Sequence, residues 1–155
     1  MYAISLLVML NFLHMNWHQS EILVSSNNRG FHLITENILN QIPEISKYKV
    51  GILHLFIKHT SASLTINENA DPTVREDLES HFNMLVPENQ SYYKHTFEGP
   101  DDMPAHLKST IIGNSITVPI SDGELLFGTW QGIYLCEHRS SPHNRKIVAT
   151  IYGEK

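Results

Sequence analysis

VGILHLFIKHTSASLTINENADP, residues 50–72, holds two strands and the start of a helix. From Val50 to His59 the side chains of Leu53, Leu55 and Ile57 alternate, so they share one face of a strand, and His59 continues that row. From Ala62 to Glu68 the row is Ala62, Leu64 and Ile66, and Glu68 continues it. Asp71 before Pro72 is a helix N-cap followed by the residue best suited to the first helical position. Val74, Leu78, Phe82 and Leu85 then fall on one helical face, and Pro87 closes the segment. An imidazole at the end of a buried row must find a partner. Taken alone, His59 reads as a core histidine bonded to backbone; Glu68, ending the next row in the same way, makes a site the competing reading. If the two strands pair through Thr60 and Ser61, His59 and Glu68 lie at opposite ends of the hairpin. They then share a site only by bending or through another subunit.

Upstream, Glu21 to Val24 and Phe31 to Ile34 read as strands around the turn signal Asn27-Asn28-Arg29-Gly30. Thr35 is placed to cap a helix whose Ile38, Leu39 and Ile42 share a face. Downstream, Glu88 to Asp102 is polar and loop-like. A short helix follows near Pro104, with Leu107 and Ile111 spaced i, i+4. Ser115 to Ile120 reads as a strand, Asp122-Gly123 as a hairpin turn, and Leu125 to His138 as one long strand. Ser140 to Asn144 turns the chain into a last strand, Lys146 to Tyr152. Three late strands with short turns predict an antiparallel meander, and the whole an α+β fold with a largely antiparallel sheet.

The 155 residues make one ordinary domain, long enough to bury a core. At 41% hydrophobic and 17% charged the chain falls on the globular side. A net charge of −5 recommends neither nucleic acid nor an anionic membrane as partner. One cysteine, Cys136, excludes an intrachain disulfide and points to a reducing, cytoplasmic setting. Cys136 lies in an apolar strand with no basic cluster to make a thiolate, so it reads as a packed, inert thiol. Tyr2 to Leu13 is apolar but too short to span a membrane, and it lacks the flanks of a signal peptide. Residues 1–16 are read as an extension, with the domain at 17–155.

The ten histidines are many for this length, and imidazole serves both metals and protons. His95 and His106 flank Glu98, Asp101 and Asp102, a mix able to bind a divalent metal, though the spacing matches no tight zinc motif. The plain alternative for the two aspartates is a solvated acidic loop with Asp102 capping the helix. Gly128-Thr129-Trp130-Gln131-Gly132 is unusual inside a strand: it marks either a close approach by ligand or backbone, or a bulge anchored by Trp130. Glu137 shares parity with Ile133 and Leu135, a carboxylate on an apolar row. Burial there would raise its pKa and suit it to acid–base work; the alternative is a buried pair with Arg139 or Arg145. Phosphate-binding and dinucleotide fingerprints are absent.

Three segments in register resemble the YjbQ-like family. They are His59-Thr60-Ser61-Ala62 running on to Asn67-Glu68-Asn69-Ala70-Asp71-Pro72, then His95 with Glu98-Gly99-Pro100-Asp101-Asp102-Met103-Pro104-Ala105-His106, then Gly128-Thr129-Trp130-Gln131 with Glu137. The likeness runs from about Trp17 to the C-terminus. The residues before Ala105-His106 depart from the commoner family form, so the resemblance assigns no role to Asp101 or Asp102. It implies a largely antiparallel β-sandwich with a few flanking helices, assembled as a homotrimer. It also implies a thiamine-phosphate synthase-like activity, at least as a side activity, joining a pyrimidine diphosphate to a thiazole phosphate. On that reading His59, His95 and His106 hold a divalent metal, zinc or magnesium. Glu68 and Glu137 are then catalytic, and Asp71, Trp130 and Gln131 bind a phosphorylated or heterocyclic ligand. A metal-dependent hydrolase and a non-catalytic trimeric small-ligand-binding module are the alternatives.

Overall fold

Alternation in residues 50–57 builds β3 (Val50–Ile57), the middle strand of a five-stranded antiparallel sheet. The computed structural model describes residues 15–26 and 28–155; the expectations for Tyr2 to Leu13 and for Asn27 lie outside these. The other strands of this sheet are β1 (Met15–Ser26), β5 (Ser115–Ser121), β6 (Glu124–Leu125) and β8 (His143–Glu154), in the order β1-β8-β3-β5-β6. A second, three-stranded antiparallel sheet has the order β2-β7-β4, from β2 (Gly30–Leu33), β7 (Gln131–Glu137) and β4 (Ala62–Glu68). Leu53, Leu55, Ile57, Ile147, Ala149 and Ile151 of the larger sheet meet Leu64, Ile133 and Leu135 of the smaller in one buried core. α1 (Thr35–Gln41) closes one end of that core through Ile38. On the other face of the small sheet, Phe31, Tyr134 and Cys136 pack against Leu78 and Phe82 of α2 (Pro72–Leu85) and Ile112 of α3 (Asp102–Ile112). The fold is α+β.

β4 keeps its expected bounds, and Asp71 caps α2 with its Oδ1 accepting from the Thr73 N–H and hydroxyl, each at 2.8 Å. The turn at Asp122-Gly123 has φ of 49° and 81°, the left-handed pair that a two-residue hairpin between β5 and β6 requires. One conditional pairing is not realised and three expectations are corrected. β3 and β4 do not form a hairpin: they belong to different sheets. The run Leu125–His138 is not one strand. β6 ends at Leu125, and a turn held by Gly128 N–H to Gln131 Oε1 and Gln131 N–H to Gly128 O carries the chain across to the small sheet. The late strands are therefore no meander, since β8 returns to lie between β1 and β3. Thr35 does not cap α1; Ile34 holds that position, and Thr35 Oγ1 accepts instead from Ile133 N–H at 2.9 Å. For the strand pairings, alternation and turn length do not say which sheet receives a strand. β1 also starts at Met15, paired with Glu154, two residues before the expected domain start. Among the described residues no helix is long and apolar enough to cross a membrane.

Candidate functional site

α3 packs on β4, and its first two turns carry the polar centre of the molecule. Asp102 opens the helix and His106 follows four residues later, so both side chains lie on one face. His95 comes from the irregular segment between α2 and α3. Its Nε2 lies 2.8 Å from Asp102 Oδ2, and His106 Nε2 lies 3.6 Å from Asp102 Oδ1. The two rings are 5.3 Å apart at 58°. Asp102 is 1% exposed. Although Oδ2 is close to His95, the geometry is not that of a hydrogen bond, and this buried oxygen has no other partner. His106 Nδ1 is 3.0 Å from the Thr60 carbonyl oxygen, to which it donates. In the neutral ring that fixes the tautomer and leaves the Nε2 lone pair turned toward Asp102.

Arg139, just past β7, clamps the segment leading into α3. Its Nε donates to Asp101 Oδ2 at 3.1 Å, one terminal nitrogen to Asp102 Oδ1, and the other to the Glu98 carbonyl at 2.9 Å. Ser140 N–H adds a bond to Asp101 Oδ2 at 2.8 Å. Partial burial pushes the Asp101 carboxyl up, but Ser140 and Arg139 outweigh it, and the net shift is down. Neither aspartate is a solvated loop residue, and Asp102 is not the cap, because Asp101 takes that position.

The expected site residues divide. His95 and His106 come together, with Asp102 in the third place. His59 lines an adjoining cleft of about 480 Å³ with Thr60, His106, Thr110 and Asn114. Its Nε2 accepts from Lys146 N–H at 2.8 Å, so that lone pair is engaged by backbone. Partial burial, then the charge of Arg145, holds the His59 pKa below its ordinary value. On the other side of the centre His95 lines a cleft of about 250 Å³ with Asn89, Gln90, Tyr93 and Met103.

Glu137 sits near this end of the sheet but is committed. Arg145 grips it with two bonds, 2.7 Å from Nε to Oε2 and 2.6 Å from a terminal nitrogen to Oε1. Ser26 and Arg139 N–H donate as well, at 2.8 and 2.9 Å. Burial alone would raise its pKa, as expected from the sequence. The bonds from Arg145, Arg139 N–H and Ser26 reverse the sign, and Glu137 titrates below its ordinary value. Glu68 lies at the far end. Ala62 faces Glu137 and Glu68 faces Gln131 across β4 and β7. At about 3.4 Å per residue those ends are roughly 20 Å apart. Trp130 and Gln131 stand with Glu68, and Trp130 is 64% exposed, so it anchors no bulge in the core. Gly132 answers a close approach by the protein itself, since a Cβ there would meet Leu33 Cδ1 at 2.6 Å. Asp71 is occupied in capping α2.

Sequence reasoning missed three features. The i, i+4 spacing of Asp102 and His106 was a readable signal for their shared face; the Arg139 clamp gave none. A buried polar group under α3 was also unannounced. Ser63 Oγ lies 2.8 Å from His138 Nε2, and burial, then Lys108, pushes the His138 pKa down to about 3. His138 is therefore a neutral structural hydrogen-bonding group.

Comparison with known proteins agrees with the fold. A family profile described as "UPF0047 protein YjbQ-like" matches residues 20–154. The "UPF0047 protein YjbQ" of Escherichia coli O157:H7 is 50% identical over 138 residues, covering 89% of this chain and 99% of that protein. Its namesake in Salmonella typhimurium is 51% identical over the same length, with the same coverage. Among solved structures, a "YbjQ-like protein of unknown function" from Sulfolobus solfataricus P2 superposes with a TM-score of 0.77 at 32% identity, covering 91% of this chain and 100% of that one. A conserved protein of the same family from Clostridium acetobutylicum gives 0.73 at 37% identity, covering 83% and 97%.

Proposed function

The chain belongs to the YjbQ-like UPF0047 family, and from that premise we propose that it is an enzyme of the thiamine-phosphate synthase type, with its reaction centre at His95, Asp102 and His106. The observation that supports this is a buried carboxylate aimed at two histidines, each of which lines a cleft. In the reaction a thiazole nitrogen lone pair forms a bond to the methylene carbon of the pyrimidine diphosphate. The C–O bond to pyrophosphate breaks, and its electrons leave with the pyrophosphate. Negative charge therefore grows on a phosphate oxygen and positive charge on the thiazolium. His95, half exposed and backed by the Asp102 carboxylate, is placed to give a proton to the departing oxygen. Arg139 holds the Asp102 carboxylate in position. Tyr93 and Met103 offer an aromatic face and a soft apolar contact for a heterocycle. Glu137 is left out of the chemistry by its Arg145 pair. Glu68, Trp130 and Gln131 join the centre only if the proposed homotrimer brings them from another copy. A cytoplasmic setting belongs to the same reading.

Incubating the purified chain with both phosphorylated heterocycles and measuring coupled product tests this. We expect turnover in the wild type and a fall in kcat of about 10²–10⁴-fold in His95→Ala. The open clefts also admit water, which keeps a hydrolase as the second reading. Phosphate release from either substrate alone, with no coupled product, selects it. Tight ligand binding with no turnover of any kind selects the binding module and overturns both.

A further inference from the structure

The geometry points to His95, Asp102 and His106 as a divalent-cation site of the zinc class, with Asp102 as the third ligand where the sequence suggested His59. This deepens the proposed function and rests on it only for the place of the reaction; with a cation bound, His95 would be its ligand, and the cation rather than a His95 proton would offset the charge on the departing oxygen.

Four observations carry it. First, one ligand atom from each of the three residues lies within 4.8 Å of the others. Second, Asp102 Oδ2 is buried, faces the histidines and has no hydrogen bond. A carboxylate oxygen left so is costly unless a cation or proton takes its lone pairs. Third, the Thr60 carbonyl takes the Nδ1 proton of His106, so the nitrogen facing Asp102 is itself an acceptor. A ring nitrogen donating to a backbone carbonyl while its partner faces outward is the usual second shell of a metal-bound histidine. His106 Nε2 stands 3.6 Å from Asp102 Oδ1, the oxygen that Arg139 already holds, too far for a hydrogen bond. Fourth, the local charge favours a cation. Glu98, Asp101 and Asp102 face one guanidinium, Arg139.

Two imidazoles and one carboxylate suit zinc or a similar transition ion, and disfavour magnesium, which prefers oxygen and retains its waters. Three protein ligands leave coordination positions for water or substrate. Within one chain His59 is excluded from the set, since its Nε2 accepts from Lys146 N–H.

The full chain, stripped with chelator, is titrated with Zn²⁺ and separately with Mg²⁺ by calorimetry, with no substrate present. We expect one Zn²⁺ per chain and much weaker Mg²⁺. His106→Ala and Asp102→Asn should each weaken Zn²⁺ by at least about 100-fold, the upper end of what losing an outer-shell partner does. His59→Ala should stay within about threefold of wild type, below the range for losing even an outer-shell partner. If Asp102→Asn fails to fold, His95→Ala, whose side chain is 51% exposed, replaces it. No stoichiometric zinc in the wild type overturns the site. So does a His59→Ala chain that loses zinc as completely as His106→Ala. Zinc uptake without transfer leaves the site standing and removes the proposed reaction. Transfer by a zinc-free chain does the reverse.

Discussion

At the scale of single residues, the same end of the molecule contains two carboxylates with opposite fates. Asp102 keeps one oxygen without a hydrogen bond, while Glu137 has every oxygen engaged, joining β7 to Arg145 of β8 and Ser26 of β1. Removing one partner of such a buried pair strands the other charge, so Glu137→Ala should cost about 3–5 kcal/mol of stability. Chemical denaturation at pH 7 measures it, and a loss under about 1 kcal/mol, the range of an exposed pair, would show that water already shields the pair. The pH dependence has a definite sign. The folded pKa of Glu137 lies below that of an unfolded glutamate, so its contribution is complete above the unfolded value. It is lost as pH falls through the folded value. Thermal midpoints should therefore drop on acidification in the wild type and less steeply in Glu137→Gln. Cys136 gives a simpler test. It is fully buried, and burial pushes its thiol pKa up. A thiol reagent should find no reactive cysteine in the native chain and one after denaturation; fast native labelling would contradict the packing of β7 against the helices.

At the scale of elements, α2 and α3 do different work. α2 has an N-cap, an exposed polar face and an inner stripe of Leu78 and Phe82 against Phe31, so it covers the small sheet. α3 begins without a side-chain cap because its first carboxylates face Arg139 and the histidines. Asp71→Ala should cost about 1 kcal/mol, the ordinary value of an N-cap, and leave turnover and zinc binding unchanged. A large effect on either would give Asp71 the ligand-binding role that the resemblance implies. The pattern of residues 50–72 displayed these elements because alternation and capping are local properties. The break at Leu126 to Trp130 was not legible, since glycine and tryptophan in a strand fit a bulge as well as a crossing between sheets.

At the scale of the whole molecule, the outer face of the large sheet presents Trp17 stacked on Tyr152 at 4.2 Å, with Ile52 in the same row and Phe56 beyond it. We expect a homotrimer, as the family resemblance implies, and light scattering on the purified chain checks it. A monomer mass across the micromolar range would remove the trimer. It would also remove the route by which Glu68, Trp130 and Gln131 reach the centre, since within one chain those residues are roughly 20 Å along the sheet from Glu137.

By itself the sequence determined most of the elements, the α+β class, the family and the pool of candidate residues: each depends on period, capping and motif, which are written along the chain. It also placed His59 correctly at the end of a buried row. Only the tertiary structure decided which polar groups meet. His59 turned to a backbone N–H on β8, Asp102 to His95 and His106, and Glu137 to Arg145, through contacts between residues separated by up to 87 positions. Sheet membership settles these contacts. β3 and β4 lie in different sheets and the segment between β6 and β7 crosses from one to the other, and local alternation is the same whichever sheet a strand joins.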